Sequence, residues 1–150
     1  MAIGKSAAPM PGPAAAAPAR QVSDLAWAGQ HAKAIDLATM ALAAPRLSIA
    51  ERLDLLDLRA ESFVAQGDLG RAGADTDAML GLAKSARTAA FMAQALNRRA
   101  LVETRNGAYK AAVTTATAAL RAARRSKRTP LIAMSLVRLA EAQTRETLTE

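Results

Sequence analysis

The feature that most constrains this chain is a recurrence. Gly29, Gly67 and Gly107 each open a similar stretch, GQHAKAI, GDLGRAG and GAYKAAV, at spacings of 38 and 40 residues (67 − 29 and 107 − 67). Five residues after each glycine stands Ala34, Ala72 or Ala112, and thirteen after it Leu42, Leu80 or Leu120. Eleven before the second and third glycines stands Leu56 or Leu96, and seven before them Ala60 or Ala100; a further step of 40 reaches Leu136 and Ala140. A fixed period of this length, with two helical patterns per unit, marks a unit that cannot bury its apolar face alone and must stack on its neighbours.

Composition points the same way. Hydrophobic residues make up 51% of the 150 and aromatics only 3%, with alanine dominant. Alanine has the best helix propensity and lets helices approach closely, and few β-branched or aromatic runs exist to build strands. The pattern predicts helices over about 22–28, 30–44, 49–65, 68–85, 89–105, 108–126 and 130–147. Each recurring glycine sits at a break, where the absence of Cβ permits the left-handed turn that ends a helix. Asp68 is the expected N-cap after Gly67, Ser48 with Glu51 forms an expected capping box, and Thr129-Pro130 reads as an N-cap ahead of a proline in the first turn. Tyr109, Ala112, Val113, Ala116, Leu120 and Ala123 form one apolar stripe, with Lys110, Thr114, Thr117, Arg121, Arg124 and Arg128 opposite. Ile49, Leu53, Leu56, Ala60 and Phe63 form another, while Leu55 and Leu58 lie off it; a helix apolar on several sides must touch several neighbours.

Residues 1–21, rich in Ala and Pro, read as a disordered tail, so the ordered domain is expected over 22–147. Prolines 9, 11, 13 and 18 break any signal-like apolar run, and no stretch approaches the roughly 20 residues of a membrane span. There is no cysteine, which removes disulfides, thiolate metal sites and cysteine nucleophiles. A cytoplasmic location without membrane contact is the expectation.

The recurring residues resemble the tetratricopeptide repeat, over about 22–147. The small residues Ala60, Ala100 and Ala140, the leucine four before each, the glycine seven after the first two, and Ala34, Ala72, Ala112, Ala41 and Ala119 carry the likeness. The period is longer than the usual unit and is similar to the long-helix variety in bacterial signalling proteins, including sensory modules of nucleotide cyclases and transcription regulators. Arg59 and Arg99 stand where the family has a bulky residue, and Glu103 where it has an aromatic one. The resemblance implies an all-α, right-handed α-solenoid of antiparallel helix pairs, about three units plus a terminal helix, that acts as a protein–protein interaction scaffold without catalysis or cofactor.

It also implies a concave groove lined by the first helix of each pair. Asp54, Asp57, Glu61 and Val64 map there in one unit, Gln94, Asn97, Leu101, Thr104 and Arg105 in the next, and Met134, Val137, Glu141, Thr144 and Arg145 in the last. The three acids would repel a carboxylate and favour a basic or amphipathic segment of a protein or peptide partner. An uncovered final helix would expose apolar surface and invite a homodimer.

Charge is polar along the chain. Residues 51–77 carry seven acids and three bases, whereas 98–128 carry nine bases and one acid. The run Arg121, Arg124, Arg125, Lys127 and Arg128 is the densest cluster, and its alternative function is binding nucleic acid or an acidic surface. The simpler reading, and the preferred one, is favourable placement of cations at a helix C-terminus together with solubility. No aromatic for base stacking lies in the run, so nucleic acid is disfavoured as a partner. No constellation supports catalysis or a metal. His31, the one histidine, has no nucleophile beside it; Gly4-Lys5-Ser6 lacks the rest of a phosphate loop; Asp75 and Asp77 do not continue into a calcium loop; Glu141 and Glu146 have no histidine. Trp27 is expected to pack across the first helix pair.

Overall fold

The computed structural model describes residues 17–149. They form seven helices and no strand: α1 (Ala17–Trp27), α2 (His31–Leu42), α3 (Ile49–Ala65), α4 (Leu69–Ala86), α5 (Ala89–Arg105), α6 (Tyr109–Ser126) and α7 (Thr129–Thr147). Helices α3, α5 and α7 begin at 40-residue intervals (89 − 49 and 129 − 89), so the recurrence is a structural one.

Short connections make successive helices antiparallel, and each packs on the next. A second set of contacts gives the row its shape. The odd helices also touch one another, α1 with α3, α3 with α5 and α5 with α7, whereas α2, α4 and α6 do not. Helices crowded on one side and separated on the other bend the row toward the crowded side. Helix α1 makes no contact with α5 or α7, and α3 makes none with α7, so the row is open rather than closed into a bundle.

Local chemistry explains the helix ends. Gly29, Gly67 and Gly107 have φ of +73°, +78° and +77°, the left-handed turn expected of them. Ser48 caps α3: its hydroxyl accepts from the Glu51 amide at 3.1 Å, and the Glu51 carboxylate accepts from the Ser48 amide at 2.7 Å. Asp68 caps α4 by accepting from the Arg71 amide at 3.0 Å. The turns before α5 and α7 differ. There the left-handed residues are Arg87 (φ +51°) and Lys127 (φ +56°), at a cost of about 1 kcal/mol each relative to glycine.

Three expectations shift. Helix α1 begins at Ala17, so residues 17–21 belong to the fold and not to a tail. Pro18 sits in its first turn, where a missing N–H removes no hydrogen bond, and Ala19 packs beside Val22, Ala34, Ala38 and Leu55; residues 1–16 lie outside the described residues. The N-cap of α7 is Arg128, with Thr129 already helical and no side-chain cap, because the Lys127 turn closes one residue earlier. Trp27 is 90% exposed. It follows Ala26, which packs inward, and one further residue on a helix turns the side chain off that face.

Alanine fills the contacts. Ala34, Ala60, Ala72, Ala100, Ala112, Ala119 and Ala123 are fully buried. Leu53, Leu56, Met79 and Leu80 form the centre of the core. Leu55, off the main stripe of α3, is buried against α1 and α2, which accounts for the two apolar sides of that helix. Arg59 and Arg99 do not leave holes where a bulky residue was expected. Arg59 holds the buried Asp75 through two bonds, at 2.8 and 2.6 Å, and also donates to Thr39, tying α3 to α4 and α2. Arg99 pairs with Glu103 at 2.9 Å. Among the described residues no helix is long and apolar enough to cross a membrane.

Candidate functional site

The bend of the row brings α3, α5 and α7 side by side, and a cavity of about 420 Å³ opens along them. Its walls carry Asp54 and Asp57 from α3, Phe91, Gln94, Asn97 and Arg98 from α5, and Leu131, Met134 and Arg138 from α7. Because first helices repeat at 40 residues, Asp57, Asn97 and Val137 occupy equivalent places in three successive units.

The α3 acids do not stand as an unpaired trough. Gln94 donates to Asp54 at 2.9 Å and reaches Asp57 at 3.4 Å. Arg98 donates through Nε to Asp57 at 2.6 Å and through Nη2 to Glu61 at 3.3 Å. Burial works against the charge on Arg98, but the Asp57 and Glu61 carboxylates outweigh it and hold its pKa above the ordinary value. Across the groove, Arg138 donates to Glu141 at 3.3 Å, and Arg105 stands 3.9 Å from the same carboxylate. Burial, followed by repulsion from Arg98, lowers the Arg138 pKa despite Glu141. The groove is therefore a lattice of alternating charge: acids on α3, arginine on α5, both signs on α7.

Two groove residues carry buried polar atoms with no hydrogen-bond partner among the described residues. Asn97 is only 5% exposed, and neither its Oδ1 nor its Nδ2 has a hydrogen-bond partner. Such groups cost about 1–3 kcal/mol each when buried unpaired. The Arg138 Nε is likewise buried and unpartnered.

The other expected groove residues divide. Met134 and Val137 are exposed on α7, and Arg105 is half exposed. Thr144 and Arg145 are exposed, with the Thr144 hydroxyl bonded to the Ala140 carbonyl. Val64 packs with Ile35, Phe63, Ala72 and Val102. Leu101 and Thr104 are buried, and the Thr104 hydroxyl is spent on the Ala100 carbonyl; these three belong to helix packing rather than to the groove surface. Arg98, Arg138, Phe91 and Leu131 were not assigned to the groove from sequence. A signal for Arg98 existed: it lies 41 residues from Asp57, one period plus one.

Arg121, Arg124, Arg125, Lys127 and Arg128 are all exposed, and none is in an ion pair among the described residues. By contrast Arg98, Arg99 and Arg105, from the same basic half, have acidic partners. His31 meets only the Ser62 hydroxyl, at 3.3 Å, between α2 and α3. Asp75 is held by Arg59. No group of three or more potential metal ligands exists among the described residues.

Fold and site together define an all-helical row of hairpins with a charged groove along its crowded side. Protein-family models, curated proteins and solved structures give no match to the chain.

Proposed function

We propose that the chain is a non-catalytic protein-interaction module, a right-handed solenoid of the tetratricopeptide type whose groove holds a segment of a partner protein in a regulatory role. The observation that carries this reading is Asn97, with an unpaired amide in the floor of the groove. A primary amide with both donor and acceptor free complements a main-chain peptide unit, which offers the reverse pair. Gln94, one turn earlier on α5, is held by Asp54. A basic side chain arriving at Asp54 would release Gln94 and bring the partner's main chain within reach of Asn97. The half-exposed Glu61 also favours a basic residue, while Phe91, Leu131 and Met134 supply an apolar wall. An amphipathic or extended segment with basic residues fits these demands.

The test is a random-peptide display library panned against the intact chain, with selected peptides measured against Asn97→Leu. Selected peptides should bind the variant at least tenfold more weakly, while its helical circular dichroism stays unchanged. Equal binding by a folded variant would refute the groove reading.

A specific observation favours a second mode. Leu136 and Val137 on α7 are 47% and 57% exposed, on a face no described helix covers. Two copies packed through this face would bury it.

A further inference from the structure

A strongly charged surface runs along the turns at one edge of the row; of its residues only Arg128 also lines the groove cavity. The structure brings Lys84 and Arg87, at the α4–α5 turn, together with Arg125 at the end of α6, around a gap of about 350 Å³. Arg124, Lys127 and Arg128 continue the same edge at the α6–α7 turn. All six side chains are exposed. None forms an ion pair among the described residues. The chain carries no acid between Asp77 and Glu103, or between Glu103 and Glu141, so neither turn has a carboxylate of its own. Glu51 and Asp54 on α3 are engaged with Ser48 and Gln94.

Two features separate this edge from ordinary surface charge. The cations recur with the fold: Lys84 and Arg124, and likewise Arg87 and Lys127, are one period apart, so the same two places are basic in successive units. Adjacent helix axes lie about 8–10 Å apart, which puts the two rungs roughly 16–20 Å from each other. That span suits an elongated polyanion and exceeds a single small one. Second, Arg87 and Lys127 are the non-glycine residues in the left-handed region among the described residues, while three of the other four turns use glycine there. The backbone would be more comfortable with glycine at both positions. A charged side chain stands at each of these positions, where the backbone alone would favour glycine.

We propose that this edge binds the phosphate backbone of double-stranded nucleic acid without reading its sequence. Four of the six cations are arginine, whose planar fork matches phosphate oxygens. None of the large exposed apolar residues lies within 84–90 or 121–130. A peptide partner draws most of its affinity from such anchors, whereas a duplex backbone binds through counterion release alone. The missing aromatics, which argue against an unstacked single strand, are no obstacle for a duplex.

The experiment measures binding of the intact chain to a fluorescently labelled random-sequence DNA duplex by anisotropy, between about 50 and 200 mM salt. Six contacts predict a slope of log K against log salt near −5. An Arg87→Gly/Lys127→Gly variant should keep or raise the thermal midpoint, bind at least tenfold more weakly and lose about 2 from the slope. Arg124→Gln/Arg125→Gln, which leaves the turns alone, should show the same loss and serves if the glycine variant does not fold. Absence of duplex binding at the lowest salt would overturn the proposal. So would equal binding by folded variants, or equally tight binding of a polyglutamate peptide or an anionic phospholipid vesicle at matched salt.

Discussion

At the scale of single residues, Arg98 and Asn97 are neighbours in sequence with opposite fates. Arg98 is nearly buried and spends its charge on Asp57 and Glu61; Asn97 is more buried still and spends nothing. Removing one member of a well-shielded ion pair strands the other, so Arg98→Ala should destabilise the chain by about 2–3 kcal/mol. Adding Asp57→Asn should restore part of that loss in a double-mutant cycle measured by urea denaturation; strict additivity would show the pair to be uncoupled. Asn97→Leu should move the other way, stabilising by about 1–2 kcal/mol, with an unchanged or lower urea midpoint as the contrary result. Asn97 was legible as a groove residue. That it would be unpaired was not, because its neighbours at Gln94 and Arg98 prefer partners on α3, some 40 residues away.

At the scale of elements, the helix boundaries were readable because they obey local rules. Ser48–Glu51 and Asp68 cap as expected, and the glycines turn as expected. The misses were local too: Arg128 instead of Thr129 as N-cap, and an α1 that starts before Val22. The caps have a consequence for pH. Hydrogen bonds from the Ser48 amide and hydroxyl lower the Glu51 pKa, and those from the Arg71 amide and side chain lower that of Asp68. A carboxylate whose folded pKa is depressed adds stability that is complete above its unfolded pKa, near 4, and is lost as pH falls through the folded value. Thermal midpoints should therefore fall as pH drops from about 5 to 3. The drop should be smaller in Ser48→Ala, which has already lost its part of the α3 cap. The same drop in both proteins would assign the acid sensitivity elsewhere.

At the scale of the molecule, the decisive fact is the asymmetry between rows. Odd helices touch each other and even helices do not. This bends the array, opens the groove and leaves α7 with Leu136 and Val137 uncovered. Light scattering should give a mass that rises toward a dimer with concentration. A Leu136→Glu/Val137→Glu variant should stay monomeric at every concentration; a wild-type chain that is monomeric throughout would rule out this interface. The stacking also sets Arg125 near Lys84 and Arg87, a neighbour relation that the basic run alone did not reveal.

The amino-acid order by itself determined the helical class, the 40-residue period, the turns and most caps. Each of these rests on interactions within a few residues: φ/ψ preference, side-chain reach to an adjacent amide, and the phase of apolar residues around a helix. Only the tertiary structure decided which charges cancel, which amide is left without a partner and which cations gather at one edge. Those outcomes depend on the offset at which one unit stacks on the next. A one-residue change in that offset would hand Arg98 a different acid while leaving every local signal untouched.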